Sequence, residues 1–138
     1  MTRREMREYI FCLLFQNEFY TTEEFDEQVE NFLHNFHIPE NQRISEKDEI
    51  EVRDKVEKLL ADLPAIDEMI ETHAKGWKLD RIAKAELAIL RLAVYEAVYD
   101  DQIPVGVAIN EAVELAKQYG DHNGSVFVNG ILGKIVNE

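Results

Sequence analysis

The stretch RIAKAELAILRLAVYEAVYDD, residues 81–101, constrains the fold more than any other part of the chain. Wound as a helix, it is apolar on almost every side, through Ile82, Ala85, Leu87, Ile89, Leu90, Leu92, Ala93 and Val94. A helix of that kind packs on several sides at once and belongs at the centre of a helical assembly. Its interior charges, Glu86 and Arg91, then need partners or a purpose. For Arg91 the simplest is a structural ion pair with a neighbouring helix; Glu86 either pairs in the same way or reaches solvent.

The rest of the chain supplies neighbours for such a helix. Proline and glycine are scarce, strand-like alternation is nearly absent, and helical spacing dominates. The spacing predicts helices over about 3–17, from Thr21 or Thr22 to Phe36, from a Ser45 cap to Ala61, and from Asp62-Leu63-Pro64 to about Thr72. Further helices follow over about 82–99, 104–119 and 125–136. "TTEEF" places acids in a first turn, where the helix dipole favours them. Asp48 stands at the capping-box offset from Ser45. "AKGWKLDR" reads as a connector. The fold class is all-α, with about seven helices. At 138 residues the chain is one domain with room for a real core.

Charge is unevenly placed. Fifteen Lys and Arg face 28 Asp and Glu, a formal net charge of −13. Arg3, Arg4 and Arg7 nevertheless crowd the start, and no further Lys or Arg occurs before Arg43. At about 100° per residue, Met6, Ile10, Leu13 and Leu14 form a buried stripe. Arg4, Arg7, Phe11 and Phe15 fall together beside it, with Arg3 at the border. Guanidinium forks bind phosphate and aromatic rings stack on unpaired bases, so such a strip suits single-stranded nucleic acid. Alternatively, Phe11 and Phe15 widen the buried stripe and the arginines pair with nearby acids. An acidic chain does not coat nucleic acid with its whole surface, but it attracts a basic protein partner.

Other motifs point away from catalysis and cofactors. Glu30, His34 and His37 have helical spacing for a metal, but nothing completes the site, and surface histidines are the simpler reading. Cys12 has no neighbouring base, forms no internal disulfide and fits a reducing cytoplasm. "NGILGKI" lacks the first glycine of a phosphate loop and has Ile135 where Ser or Thr is needed. Its glycines are expected to let the last helix pack closely. No apolar run reaches the roughly 18–20 residues of a membrane helix, and no secretory signal is visible.

Three segments in order resemble the NusB family of bacterial transcription antitermination factors: "ELAILRLAVYE" at 86–96, "IPVGVAINEAVELAKQYG" at 103–120 and "FVNGIL" at 127–132. "RREMREYIFCLLFQ" is similar to that family's Arg-rich first helix. The resemblance spans nearly the whole chain. It implies two small packed helical bundles, about 1–75 and 78–138, and a non-enzymatic cytoplasmic role. It implies binding of the boxA element of nascent RNA jointly with the small-subunit ribosomal protein NusE, within an antitermination complex on RNA polymerase that supports ribosomal RNA transcription. A homodimer that hides the RNA surface stays open. The RNA-contacting positions of the family correspond to Arg3, Arg4, Arg7, Phe15, Asp80, Glu86, Asn123 and Phe127. Asn123 as a mere loop or cap residue and Phe127 as a buried ring are the structural alternatives.

The chain departs from the family pattern at Phe15, often a tyrosine, at Val126, often a lysine, and at Glu5, which interrupts the arginine cluster. Phe15 keeps the ring and loses a hydroxyl, and the other two departures imply weak RNA affinity alone and reliance on the partner. Two other readings remain: a protein-binding adaptor whose arginines serve solubility, and a targeting module of the kind fused to RNA cytosine methyltransferases. Salt-dependent RNA binding separates the antitermination role from the adaptor.

Overall fold

The computed structural model describes residues 1–19, 22–35 and 44–137. These residues form helices α1 (Arg3–Asn17), α2 (Thr22–Asn35), α3 (Glu46–Ala61), α4 (Leu63–His73), α5 (Lys84–Val94), α6 (Val105–Tyr119) and α7 (Gly124–Val136). No strand occurs among the described residues, as the all-α reading requires. None of these helices is long and apolar enough to cross a membrane. The chain divides into two compact units, Met1–Leu60 and Ala61–Glu138.

In the first unit the α1 stripe is as read: Met6, Ile10, Leu13 and Leu14 are all buried. Tyr9 joins them and meets the Phe32 ring edge-on at 5.8 Å. Phe25, Val29 and Leu33 give α2 its buried face, and Val52, Val56 and Leu59 give α3 its own. The start of α1 is closed by a reciprocal cap. The Glu5 N–H donates to Thr2 Oγ1 at 3.0 Å and the Thr2 N–H donates to Glu5 Oε1 at 2.7 Å. Thr2 and Glu5 thus each satisfy one backbone donor at the helix start, and the Glu5 charge offsets the unfavourable arginines there. The Thr2 bonds hold its carboxyl below the usual range. Ser45 also caps as expected, accepting from the Asp48 N–H at 3.1 Å. The expected cap at Thr21, and Phe36 and His37, lie outside what the structure describes, and Thr22 is the first residue of α2.

In the second unit α5 is the centre. Every residue from Glu86 to Val94 is buried, and α5 packs against α4, α6 and α7. Ala108, Ala112 and Ala116 keep the buried face of α6 thin. Val128, Ile131, Leu132 and Ile135 do the burying from α7. Arg91 has the helical partner its position demands. Its Nε donates to Asp67 Oδ1 at 2.9 Å and its terminal nitrogen donates to Oδ2 at 3.0 Å, a two-pronged bond to α4. That bond, with buried Ile66 and Ile70, holds α4 within the second unit, Ala61–Glu138.

Three local details differ from the sequence reading. Asp62 makes no capping bond, although Pro64 does sit in the first turn of α4. The segment read as one helix over 82–99 starts later, at Lys84, after a three-residue turn at Leu79–Arg81. It then continues as a wider π turn over Tyr95–Tyr99, closed by Asp100 N–H donating to the Tyr95 carbonyl at 3.1 Å. Gly130 and Gly133 do not serve close packing, because a Cβ at either would meet nothing within 4 Å.

Removing Asp67 leaves the Arg91 guanidinium buried without its carboxylate. Asp67→Ala is expected to cost about 3 kcal/mol, the range for breaking a buried pair. Urea unfolding measures this, and a loss below about 1 kcal/mol, the level of an exposed pair, would contradict it.

Candidate nucleic-acid interface

The first unit carries the N-terminal half of the expected set. Arg3 is exposed and, among the described residues, pairs with Glu51 at a long 3.5 Å. Arg4 is also exposed. Arg7 is drawn inward, with 8% of its surface left, because it stands one turn before Ile10 and Phe11 and shares their face. Phe11 is core at 3% exposure, so the widened-stripe alternative holds for it. Phe15 stays half-buried at the edge, stacked on Phe11 at 6.3 Å and 12°. Phe19, which the helical sorting did not reach, packs edge-on to Phe15 at 5.4 Å and is 62% exposed. Of the expected strip, Arg3 and Arg4 stay exposed at the start of α1 and Phe15 stays half-buried near its end, where Phe19 adds an exposed ring.

The second unit carries the other half. Asp80 is exposed on the Leu79–Arg81 turn. Asn123 is exposed at the start of α7 and makes no side-chain cap; its carbonyl accepts from the Phe127 N–H at 3.1 Å. Phe127 is half-buried, its ring edge-on to Trp77. Val126, in the place of the family's lysine, is 73% exposed.

Glu86 departs from a surface position. It is only 4% exposed, and its Oε1 accepts from the Asp121 N–H at 2.9 Å. Two glycines make room for that carboxylate. A Cβ at Gly124 would lie 2.7 Å from Glu86 Oε1, and one at Gly120 3.2 Å from it. Glu86 is thus a clamp on the α6–α7 loop, which presents Asn123 and leads into Phe127. The cue in the sequence was the pair of glycines bracketing "GDHNG", and the close-packing role assigned to the later glycines belongs to Gly124.

Two other clusters have alternative chemistry. Glu30, His34 and Glu49 bring their ligand atoms within 4.8 Å of one another. Arg53 already spans the acids, donating to Glu30 at 2.7 Å and to Glu49 at 3.3 Å, so a metal would have to displace a guanidinium. The cluster acts as a tie between α2 and α3. The Cys12 thiol is pushed up to about 12, first by burial and then by the Glu8 charge, which makes it a poor nucleophile.

Gly124→Ala forces the Glu86 carboxylate aside and breaks its bond to Asp121. A loss of about 1–3 kcal/mol is expected, as for other overpacked sites. Glu86→Ala removes the clash, so the double variant should lose less than the sum of the two single ones; strict additivity in denaturant melts would refute the clamp.

His34 first, and Arg53 second, hold the Glu30 carboxyl below its usual range. A carboxylate lowered on folding contributes stability above its unfolded value and loses it as pH falls through the folded one. The α2–α3 tie is therefore expected to fail on acidification. In a carboxyl NMR titration, Arg53→Met should raise the Glu30 midpoint only part of the way, leaving the His34 share; an unmoved midpoint would count against the tie.

The chain matches known proteins over nearly its whole length. The NusB family model matches residues 4–137. The transcription antitermination protein NusB of Lachnoclostridium phytofermentans is 44% identical over 137 residues, 99% of each chain. That of Acetivibrio thermocellus is 45% identical over 136 residues, 99% of this chain and 89% of that one. NusB of T. maritima has a similar structure, with a TM-score of 0.82 and 33% identity over 100% of this chain and 92% of that one. A crystal structure of the antitermination factors NusB and NusE in complex with double-stranded RNA gives a TM-score of 0.76 at 26% identity, covering 98% and 96%.

Proposed function

The chain belongs to the NusB family, and on that premise we propose that it is a transcription antitermination factor that binds boxA-type RNA together with NusE. The observation that carries the reading is the full-length match to NusB proteins, joined by a structural neighbour in which NusB and NusE are in complex with double-stranded RNA. The role is non-enzymatic and cytoplasmic, exerted through the antitermination complex on RNA polymerase during ribosomal RNA transcription.

Arg3 and Arg4 supply phosphate-binding charge at the start of α1, and Phe15 and Phe19 supply ring surface at its other end. Asn123 and Phe127 offer an amide and a ring from the second unit. Asp80 accepts hydrogen bonds from base amino groups. Arg7 and Glu86 act from within, Arg7 by packing under the strip and Glu86 by holding the α6–α7 loop. The chain's net charge of −13 favours encounter with a basic ribosomal protein, an attraction that salt screens.

Anisotropy of labelled boxA RNA, against a scrambled control and a duplex, with and without NusE, tests this directly. Selective binding that tightens with NusE is expected. Arg3→Ala plus Arg4→Ala should weaken it and flatten its salt dependence by about 0.7 per lost phosphate contact. No selective binding in either setting would leave the protein-binding adaptor as the better account.

A further inference from the structure

Trp77 is the one tryptophan of the chain, and half of it, 50%, is exposed. Its ring stands edge-on to Phe127, with centroids 6.1 Å apart and planes at 70°. A large ring left in water forgoes hydrophobic stabilisation unless something covers it. The backbone fixes this position. Gly76 has φ 78°, in the left-handed region that favours glycine, and the Trp77 N–H donates to the Ala74 carbonyl at 2.8 Å. The turn at Leu79–Arg81 follows at once. Trp77 is held at the surface by a tight turn on one side and an aromatic neighbour on the other.

The second observation is charge. Lys75, Lys78, Arg81 and Lys84 are all exposed, and Asp80 is the only acid between Ala74 and Ala85. So basic a segment is exceptional in a chain of net charge −13. The positive charge repels a basic protein partner and attracts phosphate. An exposed indole offers a stacking face to a base that is not already paired.

We propose that Trp77 is a base-stacking residue for single-stranded RNA, with Lys78 and Arg81 holding the flanking phosphates and Phe127 bracing the indole from its edge. This rests on the RNA-binding reading above and extends the interface along the α4–α5 connector, of which that reading used only Asp80.

The single tryptophan makes the test direct. Full-length protein with NusE is titrated with labelled single-stranded boxA RNA while RNA anisotropy and tryptophan emission are followed together. Trp77→Phe serves as the blank for emission from NusE. Trp77 emission should fall in step with the anisotropy rise, and a duplex of the same sequence should leave it unchanged. Trp77→Ala should weaken binding by roughly five- to a hundredfold, the effect of losing one base stack. Lys78→Ala plus Arg81→Ala should lower the salt slope by about 1.4, two single-strand phosphate contacts. These two sites are exposed, so the pair decides the matter even if Trp77→Ala folds poorly.

RNA binding with unchanged emission and an unchanged salt slope would overturn the stacking role while leaving the antitermination reading intact. Absence of RNA binding by every measure would overturn both. Quenching by an acidic polypeptide but not by RNA would replace RNA with an acidic protein at this surface and so refute the proposal.

Discussion

Glu86 points a carboxylate into space that Gly120 and Gly124 leave empty, and this contact ties α5, the end of α6 and the start of α7 into one piece. A buried carboxylate is costly unless its lone pairs are used. Here the Asp121 N–H uses one, so the loop is fixed by the same bond that makes the charge tolerable. Arg91, just over one turn further along α5, does the corresponding work toward α4 through Asp67. The central helix is apolar by area, yet its two buried charges decide which backbone segments lie against it. The loop that carries Asn123 inherits its position from the core.

The first unit solves the opposite problem, how to keep positive charge where a helix resists it. The Thr2–Glu5 cap satisfies both partners and sets a carboxylate among the arginines. Glu5, which looks like an interruption of the basic cluster, is what lets α1 begin there. Arg3 and Arg4 remain at the surface while Arg7 turns inward, so one sequence cluster divides between recognition and packing. The same division occurs in the aromatics, with Phe11 in the core, Phe15 at the edge and Phe19 outside.

Most of the architecture was legible because helical periodicity and caps are local properties. The α1 stripe, the centrality of α5, the Ser45 cap and the order of seven helices all follow from residue spacing. What spacing cannot supply is depth. It sorts Arg7 and Phe11 by angle, but how far a face is covered depends on neighbours distant in sequence. Glycines pose the same difficulty. Gly124 and Gly133 look alike in the chain, and only the position of Glu86 distinguishes the one that must lack a side chain. Trp77 was read as part of a connector because its significance comes from Phe127, fifty residues away. The family resemblance reached Phe127 but not the ring beside it.

The π turn at Tyr95–Tyr99 changes how the chain passes from α5 towards α6. An α-turn closes on the fourth residue and this one on the fifth, so the segment stores one residue more than an uninterrupted helix of equal rise. Tyr95 and Glu96 remain buried while Val98 and Tyr99 emerge. The surplus is confined between the well-packed body of α5 and the break before α6, where it disturbs the register of neither. The wider turn is a slack link, set where the chain leaves the core of α5 on its way to α6.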